Sequence, residues 1–210
     1  MHNSGMILES APLRRLSIAR LRGFTLLELM VVVAIAAIMA ALAAPSLRDF
    51  VVRNKMSSVG NEFTGSLLRA RNEAVSRNTC VTMCMSTTVE ATGTGTQGPV
   101  CATTGDDWQV GWIVFLDTTC ANTAGPNTPE DLIFVRQGAV SDYHLSLPTD
   151  GNLRAIEFGA RGLNGLANAG RFDLNYKDNN SKETQKFGYT ICLSALGRSR
   201  NITPAGTACS

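Results

Sequence analysis

Three sets of side chains in this 210-residue chain have types and spacings suited to chemistry. The first is Glu28, a carboxylate inside the otherwise apolar run FTLLELMVVVAIAAIMAALAA, Phe24 to Ala44. An acidic side chain at a bilayer centre costs on the order of 2.5 to 3.5 kcal/mol, so it normally has a partner and a task. The second is Arg198 with Arg200 in SALGRSRN, where Gly197 lets the chain turn and two guanidiniums can reach phosphates. The third is the set of six cysteines, Cys80, Cys84, Cys101, Cys120, Cys192 and Cys209, whose thiols either ligate a metal or pair.

Spacing decides against a metal. There is no C-x-x-C pair, and the only histidines are His2 and His144. Behind a membrane-export signal, an even number of cysteines reads as a disulfide set in an oxidising compartment. Cys192 and Cys209, alone near the C-terminus, are expected to pair. Cys80 and Cys84 share parity on one strand and face Cys101 and Cys120 as partners, in an order left open. A closed loop of this size contributes about 3 kcal/mol in the chain-entropy model. Enzyme chemistry finds no footing. His144 has no nucleophile or carboxylate at motif spacing, and the Gly-rich pieces GTGTQG and ARGLNG do not lead a strand into a helix with a P-loop lysine. No cofactor and no catalytic residue are expected.

The elements that must hold these groups follow from hydropathy and charge. The apolar run, as a helix of roughly 32 Å, is long enough to span a bilayer. Arg14, Arg15, Arg20 and Arg22 precede it, which places the N-terminus in the cytoplasm and the rest across the membrane. Ala41, Ala43 and Ala44 resemble the cleavage site of a secretory signal, but Glu28 and the length of the run argue against that. Pro45 should kink the helix without ending it. Beyond it Val52, Met56, Val59, Phe63, Leu67, Ala70 and Ala74 recur at steps of four and three, one apolar stripe for a sheet to pack on. Gly60 and Gly65 weaken this helix by about 1 kcal/mol each relative to alanine.

From Thr79 the pattern becomes β. Strands are predicted at Cys80 to Ser86, Trp108 to Asp117, Leu132 to Gln137, Tyr143 to Leu147, Leu153 to Gly159, Arg171 to Tyr176 and Phe187 to Ser194, with long loops at 87–107 and 118–130. The fold class is therefore α+β: a long N-terminal helix, membrane-spanning in its first half, packed on an antiparallel head. Charge divides the head. Between 79 and 150, Arg136 is the only base among eight acids, whereas 151–210 carries eight bases and four acids. That basic last quarter suits an anionic partner.

The stretch RGFTLLELMVVVAIAAIMAALAAPSL resembles the start of a type IV prepilin or pseudopilin, with Gly23, Phe24, Thr25, Leu26, Glu28 and Pro45 at the pattern's positions. WQVGWIVFLD and TICLSALGRSRN are similar to segments of the FimT and GspH branch of minor pilins, closer to FimT-like members. The resemblance implies a leader, 1–23, removed by a prepilin peptidase between Gly23 and Phe24, with methylation of the new Phe24 amine. It also implies a membrane and filament-core helix at 24–44, an amphipathic continuation at 45–78 and a periplasmic head at 79–210. The subunit would wait in the inner membrane and then join other major and minor pilins in a filament. There Glu28 would be neutralised by the Phe24 ammonium of a neighbour, which fixes axial stagger because a single buried charge is expensive.

The same resemblance implies that Gly197, Arg198 and Arg200 bind the DNA backbone for uptake in natural transformation, on a loop tethered by Cys192 and Cys209. Arg171, Lys177, Lys182 and Lys186, on the preceding hairpin, would widen the basic surface. Binding of this kind is non-specific and salt-sensitive, with a log-log slope near −3 for about three phosphate contacts. The alternative is a GspH-like pseudopilin that acts with secretion-system pseudopilins in protein export, which shares the whole N-terminal reading.

Overall fold

A long helix needs a start signal, and Thr25 provides it: the Thr25 Oγ1 accepts the Glu28 amide at 3.1 Å. Thr25 and Glu28 thus stand at the N-cap and third helical positions, the spacing of a capping box. The helix, α1 (Leu26–Arg77), passes through Pro45 without ending. It stops at Asn78, which takes the left-handed conformation at φ 51°, and the Thr79 amide turns back to the Ala74 carbonyl at 3.2 Å. This computed structural model describes residues 23–91, 98–121, 124–138, 143–146, 153–166, 170–176 and 182–209.

The chain divides into two units, 1–46 and 47–210. In the first, every large apolar side chain from Phe24 to Leu42 is exposed, and the helix is long and apolar enough to cross a membrane. In the second, the stripe read from the sequence is the buried face of α1: Val52, Met56, Val59, Phe63, Leu67, Ala70 and Ala74 all join the core.

Two four-stranded antiparallel sheets receive that face. The first runs in the order β3 (Leu132–Gln137), β2 (Gly111–Asp117), β1 (Cys80–Met85), β5 (Ala155–Phe158). The second runs β4 (Tyr143–Ser146), β6 (Gly170–Tyr176), β7 (Tyr189–Leu193), β8 (Ser199–Ile202). Alternation sends Val81, Met83, Met85, Trp112, Val114, Ile156 and Phe158 of one sheet, and Phe172, Leu174, Ile191 and Leu193 of the other, into a single core with α1. Phe63 sits between the sheets, with ring centroids 5.3 Å from Trp108, 5.5 Å from Trp112 and 4.9 Å from Phe172. Such pairs add about 0.5 to 1.5 kcal/mol each beyond buried area.

The first sheet is covered on its other face too. Cys84, Ile113 and Phe115 form a second small core with Val89, Cys101, Leu132 and Val135. Disulfides Cys80–Cys120 and Cys84–Cys101 pin the covering loops there, and this settles the order left open by parity. Arg136, the lone base of the acidic stretch, is a clamp. Its guanidinium lies 4.5 Å over the Trp112 ring, donates to Gln109 Oε1 at 3.2 Å, and pairs with Glu62 of α1 at 3.3 Å.

Several expected boundaries are corrected. Trp108–Val110 is a 3-10 turn instead of strand, because Asp107 caps it by accepting the Gln109 amide at 2.9 Å and the strand starts only at Gly111, at φ 120°. Trp108 is therefore buried from a turn, not by strand parity. Phe187 ends a short helix, α2 (Lys182–Phe187), so β7 begins at Tyr189, and β6 and β7 are not joined by a plain hairpin. The Gly-Arg-Ser-Arg segment runs directly into the edge strand β8, since its backbone pairs with β7 from Leu193–Ser199 to Thr190–Ile202.

Candidate functional site

The N-terminal site is simple in geometry. A Cβ placed on Gly23 would meet nothing within 4 Å beyond its chain neighbours, and Phe24 is 82% exposed. Four residues on, Glu28 lies exposed in the first turn of α1, where an acid also complements the helix dipole. Within one chain, then, Glu28 has a local use at the helix start as well as any use between chains. The T-x-x-E spacing was the sequence signal for that local use.

The C-terminal site is a β-hairpin tip. The Ser194 amide donates to the Arg198 carbonyl at 2.9 Å, and the Gly197 amide to the Ser194 carbonyl at 2.8 Å. The Ser194 hydroxyl accepts the Arg198 amide at 3.2 Å. Gly197 is required twice over. Its φ is +70°, and a Cβ there would stand 2.6 Å from the Gly162 carbonyl oxygen and 2.8 Å from Arg71 Nε. Arg71 of α1 donates from that Nε to the same Gly162 carbonyl at 2.9 Å, so the turn at Gly162 is fastened to the long helix and the hairpin tip packs against that junction. Nothing in the local sequence around Gly197 pointed to Arg71; it comes from another element.

Register then places the arginines. Arg200 lies opposite Cys192, which lies opposite Arg171, so all three share one face of the second sheet. Ile191 and Leu193 point the other way, into the core with α1. By the same alternation Arg200 projects from the outer face, Arg198 stands in the turn just before β8, and both are exposed. The C-terminal tail returns across this face, held by the expected Cys192–Cys209 disulfide and by the Gly206 amide donating to Asp173 at 3.1 Å.

Among the other basic candidates, Arg171 shares that face with Arg200. Arg171 pairs with Asp173 at 3.0 Å, and its Nε is buried. Lys182 and Lys186 lie on α2, and Lys186 pairs with Asp49 of α1 and sits 5.0 Å over the Phe187 ring. Lys177 is outside the described residues. A second open feature, a groove lined by Arg53, Ser57, Lys186, Phe187 and Tyr189, lies beside α2. All six cysteines are consumed by disulfides, which removes their thiolates as metal ligands.

Comparison with known proteins gives concordant results. The family model described as type II transport protein GspH matches residues 59–197, and the prokaryotic N-terminal methylation motif matches residues 19–44. The fimbrial protein EcpC of Eikenella corrodens is 52% identical over 40 residues, which are 19% of this chain and 26% of that protein. The chain thus aligns with about a quarter of the length of that curated relative. Among solved structures, the type IV minor pilin FimU of Pseudomonas aeruginosa PAO1 superposes with a TM-score of 0.50 at 19% identity, over 76% of this chain and 96% of that one. At that identity the likeness concerns the fold, a pilin fold. Arg198 and Arg200 fall just beyond the end of the GspH match. Because that match reaches from the middle of α1 through both sheets to the hairpin tip, this chain belongs to the GspH family of minor pilins and pseudopilins.

Proposed function

We propose that the chain is a minor type IV pilin that is inserted in the inner membrane with its head in the periplasm, is cut between Gly23 and Phe24, and joins a filament with other pilins. Glu28 meets the methylated Phe24 amine of an adjacent subunit there. A pair with one member from each subunit favours the correct stagger, since an unpaired charge in an apolar core is strongly unfavourable. The exposed apolar side chains from Phe24 to Leu42 suit both a bilayer and a bundle of such helices.

The head binds DNA through its backbone phosphates at Arg198 and Arg200, for uptake. The observation that carries this reading is the hairpin tip: Gly197 shapes the turn, the Ser194 hydroxyl and carbonyl brace it, and Arg198 and Arg200 are both exposed. Arginine guanidiniums on a fixed turn meet phosphates with little ordering cost. The test is a titration of labelled duplex with the purified chain at several salt concentrations. Arg198→Ala with Arg200→Ala should lower the magnitude of the log-log salt slope by about 1.8, at about 0.9 per phosphate contact. Binding by the double variant equal to that of the unaltered chain would remove the site.

The second reading is a pseudopilin acting in type II secretion. It is favoured by one observation, that the GspH match stops at Gly197 and so needs neither arginine. A chain that binds no duplex at low salt, yet restores export of a folded substrate in a secretion-deficient strain, would select it.

A further inference from the structure

The turn that faces the hairpin tip is GARGLNGL, 159–166, between β5 and β6. It is tight: the Gly162 amide donates to the Gly159 carbonyl at 2.8 Å, the Gly159 amide to the Leu163 carbonyl at 2.9 Å, and Gly162 takes φ +71°. It is also fastened to the hairpin. The Asn164 amide donates to the Ala195 carbonyl at 3.1 Å, and Asn164 Nδ2 to the Ser194 carbonyl at 2.7 Å. The two glycines touch at the junction, where Cβ atoms on Gly162 and Gly197 would stand 3.0 and 2.8 Å from the same Arg71 Nε.

Each glycine has an exposed arginine beside it, Arg161 before Gly162 and Arg198 after Gly197. Given the contact between the glycines, chain length alone holds the two arginine Cα atoms within about 14 Å of each other. Neither turn, 159–166 or 194–201, contains an acidic residue. Among the described residues neither Arg161 nor Arg198 is in an ion pair. An exposed arginine on an isolated turn is ordinarily a solvated charge. Here the two basic turns are bound to each other and the first of them to α1, so the cations are held near one another before any ligand arrives. Arg71 itself is turned inward to the Gly162 carbonyl and serves as the fastening.

We infer that the DNA-binding surface is built from both turns, with Arg161 as its third phosphate-contacting cation beside Arg198 and Arg200. This rests on the DNA-binding reading above. Three guanidiniums on two locked turns span adjacent phosphates, which a single two-arginine hairpin does less fully. The site remains sequence-independent, because its donors address the backbone.

The test uses the full chain in neutral detergent with a labelled random-sequence duplex, titrated from about 50 to about 200 mM salt. Arg161→Ala should lower the slope magnitude by about 0.9 and weaken binding about eightfold near 0.1 M salt. Arg161→Lys, which keeps the charge, should retain the slope, and Arg161→Glu should bind more weakly than Arg161→Ala. If Arg161→Ala matches the unaltered chain in slope and affinity while Arg198→Ala with Arg200→Ala loses binding, the role of Arg161 is overturned and the DNA-binding reading stands. A slope in Arg161→Lys as low as in Arg161→Ala overturns it as well. If the unaltered chain shows no binding, both readings fall.

Discussion

Replacing Gly60 by alanine is the sharpest perturbation of this fold, because helix propensity and tertiary packing predict opposite signs. In an exposed helix interior, glycine to alanine stabilises by about 0.8 to 1.0 kcal/mol. At Gly60, however, a new Cβ would stand 1.5 Å from the Tyr189 hydroxyl oxygen and 2.6 Å from its ring carbon Cζ. Tyr189 would have to move, which gives up the hydrogen bond its hydroxyl donates to the Met56 carbonyl at 3.2 Å, worth about 0.5 to 1.5 kcal/mol. Forcing extra volume into a packed site adds about 1 to 3 kcal/mol. Net destabilisation of about 1 to 3 kcal/mol remains after the propensity gain, or roughly 2 to 12 °C in Tm for a domain of this size. Gly65, in the same helix, has nothing within 4 Å, so Gly65→Ala should raise Tm by about 2 to 4 °C. Thermal melts of residues 47–210, disulfides intact, followed by near-UV circular dichroism, would compare the two. A Gly60→Ala protein that melts higher, as Gly65→Ala does, would show that Tyr189 does not occupy that space. Gly60→Ala made on top of Tyr189→Ala should then be stabilising, since the obstacle is gone.

Two other expectations complete the picture. Burial raises the Tyr189 pKa above its ordinary 10.0, so the folded state favours the neutral phenol; its contribution to stability is full below pH 10 and is lost as pH rises through the elevated value, which melts from pH 8 to 11 with Tyr189→Phe as the insensitive control would reveal. When the chain is co-expressed with a prepilin peptidase, mass spectrometry should find a first residue of methylated Phe24, and Glu28→Ala should be cleaved normally yet be missing from sheared filaments; a first residue near Pro45 would exclude the filament reading.

Local order was legible wherever a short-range physical rule governs it. The stripe from Val52 to Ala74 follows the 3.6-residue period, and its members are the ones buried, because a helix can present only one face to a sheet. Parity put Cys80 and Cys84 on one face of β1, and closeness in sequence paired Cys192 with Cys209. The end of the chain read as a glycine-made turn, since few residues other than glycine tolerate φ +70°. Where a cap outweighed strand propensity, as at Asp107 before Trp108, the strand boundary was misplaced.

What only the tertiary structure decided is which distant pieces meet. Gly60 looked like a flaw in a helix until Tyr189 of β7 was found resting on it. Arg136 looked like a stray base until Glu62, Gln109 and Trp112 closed around it. Cys80 joins Cys120 and Cys84 joins Cys101 because the loops over the first sheet approach from particular sides, which parity cannot specify. Arg161 and Arg198 become neighbours only when two turns and Arg71 are packed together. Periodicity, capping and turn chemistry act over a few residues and are written in the sequence; contacts across the core depend on how both sheets seat on one helix, and so belong to the folded chain alone.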